Sequence, residues 1–192
     1  MELLSILSAF GLSASAGLNA YIPLLVVALL ARFTNLIQLS EPWNALTSWW
    51  VIGILLVLSL IEFFADKVPA VNHVNDVIQT IVRPTAGALV FAASAQVITE
   101  IHPVLSIILG LLVSGSVHAV KSVAVRPAVT AATAGAGNVP VSILEDLLST
   151  AVSILSVIVP ILIGIFLLLT AVLILWFLLR RREKRMQQHG MR

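Results

Sequence analysis

The stretch Ser59 to Pro69, SLIEFFADKVP, ends a wholly apolar run at Glu62 and then adds Asp66 and Lys67 within about a turn. At about 100° per residue, Glu62 and Asp66 share one helix face, with Phe63 and Phe64 beside them. Ionisable groups at membrane depth are expensive, so a carboxylate there has a partner, water or a proton-handling role. The same reasoning marks Asn19 inside the first apolar run, and His118 and Lys121 one turn apart with Arg126 soon after. It also marks Glu145 and Asp146 at the head of the last run. Glu62, Asp66, Glu145 and Asp146 suit proton or cation handling, and Lys67, Lys121 and Arg126 suit counter-charges or anion contacts. Desolvation opposes ionisation of a carboxylate unless a cation offsets it, which fits proton coupling. The same charges would also serve as surface pairs that fix topology. His73 and Asp76, one turn apart, have a spacing that can chelate a divalent cation. A single i,i+3 pair is more often the mark of a solvated face than of a metal site, and no metal or cofactor is assigned.

Composition sets the class. The chain is 59% hydrophobic and 10% charged with mean hydropathy +1.08, so its natural solvent is lipid and it reads as a polytopic membrane protein. A soluble domain of this size would be about 25% charged. Five of the eleven Lys and Arg residues lie in Arg180 to Arg185, so the basic balance is a tail and no nucleic-acid surface is expected. The absence of cysteine removes disulfides, thiolate metal sites and a cysteine nucleophile. An intramembrane enzyme acting on lipid or a polyprenyl carrier would draw on Asp66, His73, Asp76 and His118 as acid/base groups. HExxH, GxSxG and Walker motifs are all missing from the sequence.

The elements that position these residues follow in order. Leu3 to Leu12 has signal-like hydrophobicity and Ala14-Ser15-Ala16 a small-x-small look, but no Lys or Arg precedes it and the apolar run continues to Ala31. It reads as an uncleaved first span, too long for one straight crossing, which must tilt or break. Its GLSASAGLNAYIP centre supplies small residues for close packing or for lining a substrate path, and Pro23 predicts a kink. Arg32 to Thr47 reads as a polar loop. Trp49 and Trp50 then open a second span as interfacial belt residues. Ala70 to Val82 is amphipathic and predicts a helix at the interface or dipping into a cavity. Thr85 to Ile98, short and alanine-rich, suits a buried position. Glu100, His102 and Pro103 make a turn into a fourth span, Val104 to Val125, and Arg126 to Pro140 reads as a loop or an extended cavity segment.

Val141 to Leu179 holds 39 residues without a polar loop, and as one helix it would reach about 58 Å. If it turns near Pro160, then Lys67, Arg83, Lys121 and Arg126 join the basic tail on one side, and only Arg32 lies opposite. The positive-inside rule favours that arrangement: six spans, with both termini cytoplasmic. Two short matches suggest a repeat. Gly11 to Ala20 sets against Gly110 to Ala119 with four identities, and Ser59 to Glu62 against Ser142 to Glu145. The expected fold is all-α, a helical bundle of about six spans built as two inverted three-helix repeats (residues 3–100 and 103–179) plus an interfacial amphipathic helix. The basic tail is residues 180–192.

The stretches GLSASAGLNAYIPLL, EFFADKVPAVNHVNDVIQTIVRPTAGAL and NVPVSILEDLL resemble an uncharacterised bacterial membrane family, domain of unknown function 4126, over nearly the whole chain. The resemblance implies a bacterial cytoplasmic (inner) membrane setting and brings no activity with it. The residues themselves lead to the expectation of a transporter or channel for an ion or small solute, with a site where the repeats meet. The partners expected are the lipid bilayer and that solute, and a chain this small also suits a homodimer. The remaining alternative is a scaffold whose small-residue faces, with Gly17 and Gly115 as markers, are partner contacts.

Overall fold

A computed structural model describes residues 2–67, 69–95 and 102–189. Every regular element among them is helical: α1 (Glu2–Leu18), α2 (Tyr21–Phe33), a 3-10 turn (Trp43–Thr47), α3 (Trp49–Ala65), α4 (Pro69–Ala95), α5 (Pro103–Val120), a π-helical turn (Lys121–Val125), α6 (Arg126–Thr133), α7 (Asn138–Ile158) and α8 (Pro160–His189). Val77–Ala95, Pro103–Thr133 and Asn138–Ile158 are long and apolar enough to cross a membrane. Leu3–Leu18, Tyr21–Phe33, Trp49–Ala65 and Pro160–Leu173 are shorter apolar helices. Large apolar side chains such as Ile61, Ile81, Leu112 and Leu147 lie on the outside. The buried faces carry serine, glycine, alanine and charge, as expected where the solvent is lipid.

The first apolar run breaks as its length requires, and it also reverses. The segment after α2, Asn35 to Gln38, returns to line a cavity with Leu4, Ser5 and Ser8 of α1. The two helices are therefore a hairpin whose tip is Asn19-Ala20. Pro23 does not kink a helix here. It falls in the first turn of α2, where its missing N–H has no intrahelical partner to lose. The reversal also places the N-terminal end of α1 and the end of α2 that bears Arg32 at the same end of the bundle, where the sequence reading set them on opposite sides.

Helix α1 is the hub. It runs antiparallel to α4, with Phe10 edge-on to Phe91 at 5.2 Å. It also runs antiparallel to α7, through Asn19 with Asp146, Ser15 with Ser149 and Ser153, and Ser8 with Ser156. It runs parallel to α5, through Ser13 with Gly110 and Leu18 with Lys121. Close approach depends on small residues. A Cβ on Gly17 would fall 2.6 Å from the Ser114 carbonyl oxygen, and one on Gly110 would fall 2.5 Å from that of Gly87. The Ser15 hydroxyl lies 2.8 Å and 2.7 Å from the hydroxyls of Ser149 and Ser153.

Several expectations change. Ala70 to Val82 is not a separate interfacial helix. It is the first half of α4, which continues through Pro84 to Ala95. Its polar Gln79 and Arg83 face inward, while Val77, Ile78 and Ile81 face outward. The alanine-rich second half is buried as its composition predicts, with Ala86, Val90, Phe91 and Ala95 in the core; residues 96–98 and Glu100 lie outside the described residues. Arg126 to Pro140 is not a loop, because helix continues to Thr133 and resumes at Asn138. The turn between them uses a left-handed Ala134 (φ 49°) and Gly135 (φ 89°). The run from Val141 is two helices parted only by Val159. The first proposed repeat pair lies on parallel helices, α1 and α5. The second lies on α3, which ends at the charged residues, and α7, which starts there. One inverted twofold cannot relate both pairs.

Gly17 and Gly115 provide a matched test of this packing. A Cβ on Gly115 would meet only the Pro84 ring, at 3.7 Å. Gly17→Ala is expected to lower the thermal unfolding midpoint in detergent, at a cost of about 1–3 kcal/mol from overpacking. Gly115→Ala is expected to leave it unchanged or raise it, because alanine is the better helix former. Equal responses would contradict the packing described.

Candidate functional site

The hairpin tip creates a requirement that the charged residues meet. Breaking a helix leaves N–H groups exposed at the start of α2 and carbonyls at the end of α1. The Ala20 N–H donates to Glu62 Oε2 at 3.1 Å, and the Tyr21 and Ile22 N–H groups donate to Asn19 Oδ1, each at 3.1 Å. Pro23 has no N–H to satisfy. On the α1 side, Lys121 Nζ donates to the Leu18 carbonyl at 3.0 Å. A carboxylate thus meets the positive end of α2 and an ammonium the negative end of α1, the favourable sign in both cases.

From these contacts the cluster spreads through five elements. Glu62 Oε1 accepts from Arg83 Nη2 at 2.9 Å and from Nε at 3.2 Å, and both side chains are essentially inaccessible, at 1% and 0%. Asp66 Oδ2 lies 2.8 Å from Arg126 Nη2, 3.5 Å from Arg83 Nη2 and 3.8 Å from Lys121 Nζ, while Asn75 Nδ2 donates to its Oδ1 at 2.6 Å. Glu145 Oε2 lies 2.8 Å from Lys121 Nζ and 3.3 Å from Arg126 Nη2. Asp146 accepts from Lys67 Nζ at 3.1 Å and from Asn19 Nδ2 at 3.0 Å. Lys67 also sits 3.2 Å from the Phe63 ring centroid and donates to the Phe63 carbonyl. Among the described residues four carboxylates face four cations, so their formal charges cancel. That balance is the condition under which so many charges can leave water.

The π-helical turn decides which residues can share a partner. In an α-helix, residues five apart point about 140° away from each other. Here the Arg126 N–H bonds to the Lys121 carbonyl, an i→i+5 link that stacks the two residues and lets both reach Asp66 and Glu145. His118, one turn below Lys121, accepts from Arg83 Nη1 at its Nδ1, 3.2 Å away. Arginine has only donors, so Nδ1 is bare and Nε2 carries the hydrogen toward Thr80 Oγ1 at 3.3 Å.

Nine of the sequence-marked residues therefore meet in one network: Asn19, Glu62, Asp66, Lys67, His118, Lys121, Arg126, Glu145 and Asp146. His73 and Asp76 lie on the first half of α4, and their side chains fall outside the described residues. The sequence reading missed Arg83 as a site residue, counting it only among the charges that set sidedness. Yet Arg83 joins Glu62, Asp66 and His118. Its signal was the spacing Asn75, Gln79, Arg83, one polar face at i, i+4 and i+8. Two of the acid/base groups of the enzyme reading are members of this network, Asp66 with Arg126 and Asn75, and His118 with Arg83.

The apolar exterior and the helices long enough to cross a bilayer define a helical membrane protein with a buried charge cluster at the tip of a broken helix. The model of the family described as a domain of unknown function (DUF4126) matches residues 6–180, and the chain belongs to that family. Neither the curated proteins nor the solved structures contain a match.

Removing one member of the Glu62–Arg83 pair leaves the other buried without its counter-charge. Arg83→Met is expected to cost about 3–5 kcal/mol in detergent unfolding. Adding Glu62→Gln to that variant is expected to recover much of the loss, with strong coupling between the two sites in a double-mutant cycle. Additive effects would show that the pair does not act as a unit.

Proposed function

We propose that this chain is a transporter or channel for an ion or small solute in the bacterial cytoplasmic membrane, with the charge cluster as the part of the path that handles charge. The observation that carries this reading is the break between α1 and α2. Its helix ends are satisfied by Glu62 and Lys121 within the cluster, and are not covered by continuous helix. A broken helix is tolerated at depth where protein or water satisfies its backbone, and broken helices beside ionisable groups are a device transporters use to bind charge. Shared partners add support. Asp66 has three cations within 3.8 Å, and Lys121 and Arg126 each reach both Asp66 and Glu145. A proton or ion taken up by one carboxylate would let its cations re-pair with the other, so charge could pass without leaving any member wholly unpaired. In this reading the basic run from Arg180 to Arg185 lies in the cytoplasm.

The test is flux into proteoliposomes under an imposed pH or ion gradient, comparing the wild type with Glu62→Gln, Asp66→Asn and Gly115→Ala at equal density. Wild type and Gly115→Ala are expected to carry protein-dependent flux, and the two carboxylate variants to fall to the level of empty vesicles. Absence of flux across a panel of ions and small anions, with all proteins folded, would refute the proposal.

A further inference from the structure

Of the five Lys and Arg residues before the tail, four are in the cluster, which leaves Arg32. Arg32 ends α2 and makes no ion pair among the described residues. It is exposed, but its head is held. The guanidinium lies 4.1 Å above the Trp49 ring, and one Nη1 hydrogen goes to the Thr47 carbonyl at 2.5 Å. Phe33 packs edge-on against the same Trp49 at 5.9 Å. Glu41, the acid in the adjoining loop, is exposed and accepts instead from Asn44 at 3.1 Å. These contacts use one of five donors and one face of the guanidinium fork, which is the geometry that recognises phosphate in pairs of hydrogen bonds.

Beginning at the same Trp49, the outer face of α3 carries a groove of about 620 Å³ lined by Trp49, Trp50, Gly53, Ile54, Val57 and Leu58, all apolar. Gly53 forms its notch, since a Cβ there would meet nothing within 4 Å. A guanidinium held in place, with no ion pair among the described residues, thus caps a shallow apolar groove that runs along the outer face of α3 from Trp49 to Leu58. We propose that this is a binding site for an anionic phospholipid, with the headgroup phosphate on Arg32 and an acyl chain in the Gly53 groove. The charge complementarity selects the lipid. A neutral chain would use the groove but leave Arg32 without a counter-ion, and a soluble anion would use Arg32 but not the groove.

The test is lipid retention by the full-length chain, purified in detergent, incubated with phosphatidylglycerol or phosphatidylcholine and measured by native mass spectrometry. Because the tail is also basic, it is run in a background with Arg180, Arg181, Arg182, Lys184 and Arg185 changed to Gln. Phosphatidylglycerol is expected to be retained about fivefold over phosphatidylcholine, the size of one basic contact with an anionic lipid. Arg32→Gln should remove that preference while leaving phosphatidylcholine retention intact. Arg32→Lys, which keeps the charge, should retain part of the preference. Gly53→Leu, which fills open space without touching the fold, should reduce retention of both lipids. No preference in the tail-neutral protein, a preference untouched by Arg32→Gln, or retention untouched by Gly53→Leu would each overturn the site.

Discussion

The structure depends on how the two helix ends at Asn19-Ala20 are satisfied. A backbone that reverses inside an apolar bundle leaves amide and carbonyl groups that water cannot reach, and each costs free energy unless paired. Glu62 and Lys121 supply the pairs from α3 and α5. Each brings a charge that then needs a partner of its own. Arg83 answers Glu62, and Glu145 answers Lys121. The remaining members follow from the same accounting, so the cluster can be understood as the extended consequence of one turn in the chain.

That accounting also explains the composition of the helix faces. Charges can neutralise one another only if their helices approach closely, and the approach is made by Gly17, Gly87 and Gly110 with the serines of α1, α5 and α7. Without a hydrophobic drive between helices in lipid, small residues and short interhelical hydrogen bonds supply the cohesion. Ser15 alone exchanges hydrogen bonds with both Ser149 and Ser153. The apolar bulk of the sequence faces outward and fixes the setting, while the polar minority fixes the shape.

The sequence shows the all-α class, the charge-bearing positions and the buried alanine-rich half of α4, because each rests on local composition or on period 3.6. It does not show the reversal at Asn19. The stretch GLSASAGLNAYIP is equally consistent with a kinked single span, and what decides the matter is a carboxylate 42 residues later. Arg83 is hidden for a related reason. Beside Pro84 it resembles a helix boundary, and only the neighbouring helices show that α4 continues through it. The sharing of Glu145 by Lys121 and Arg126 is invisible in any α-helical projection, since it depends on an i→i+5 turn. The apparent repeat fails because small residues recur wherever helices pack closely, whatever their direction.

The π-helical turn between Lys121 and Val125 carries one further consequence. An i→i+5 turn holds one residue more than the α-helix on either side of it, and that surplus can pass along the helix when neighbouring hydrogen bonds switch from i+5 to i+4. Each step would turn only the residue it passes, by roughly 100° about the helix axis, while the helix on either side kept its orientation and its packing. Arg126 stands at the edge of that surplus, so a shift of one residue would swing to another face the guanidinium that Asp66 and Glu145 share, and leave the rest of the helix in place.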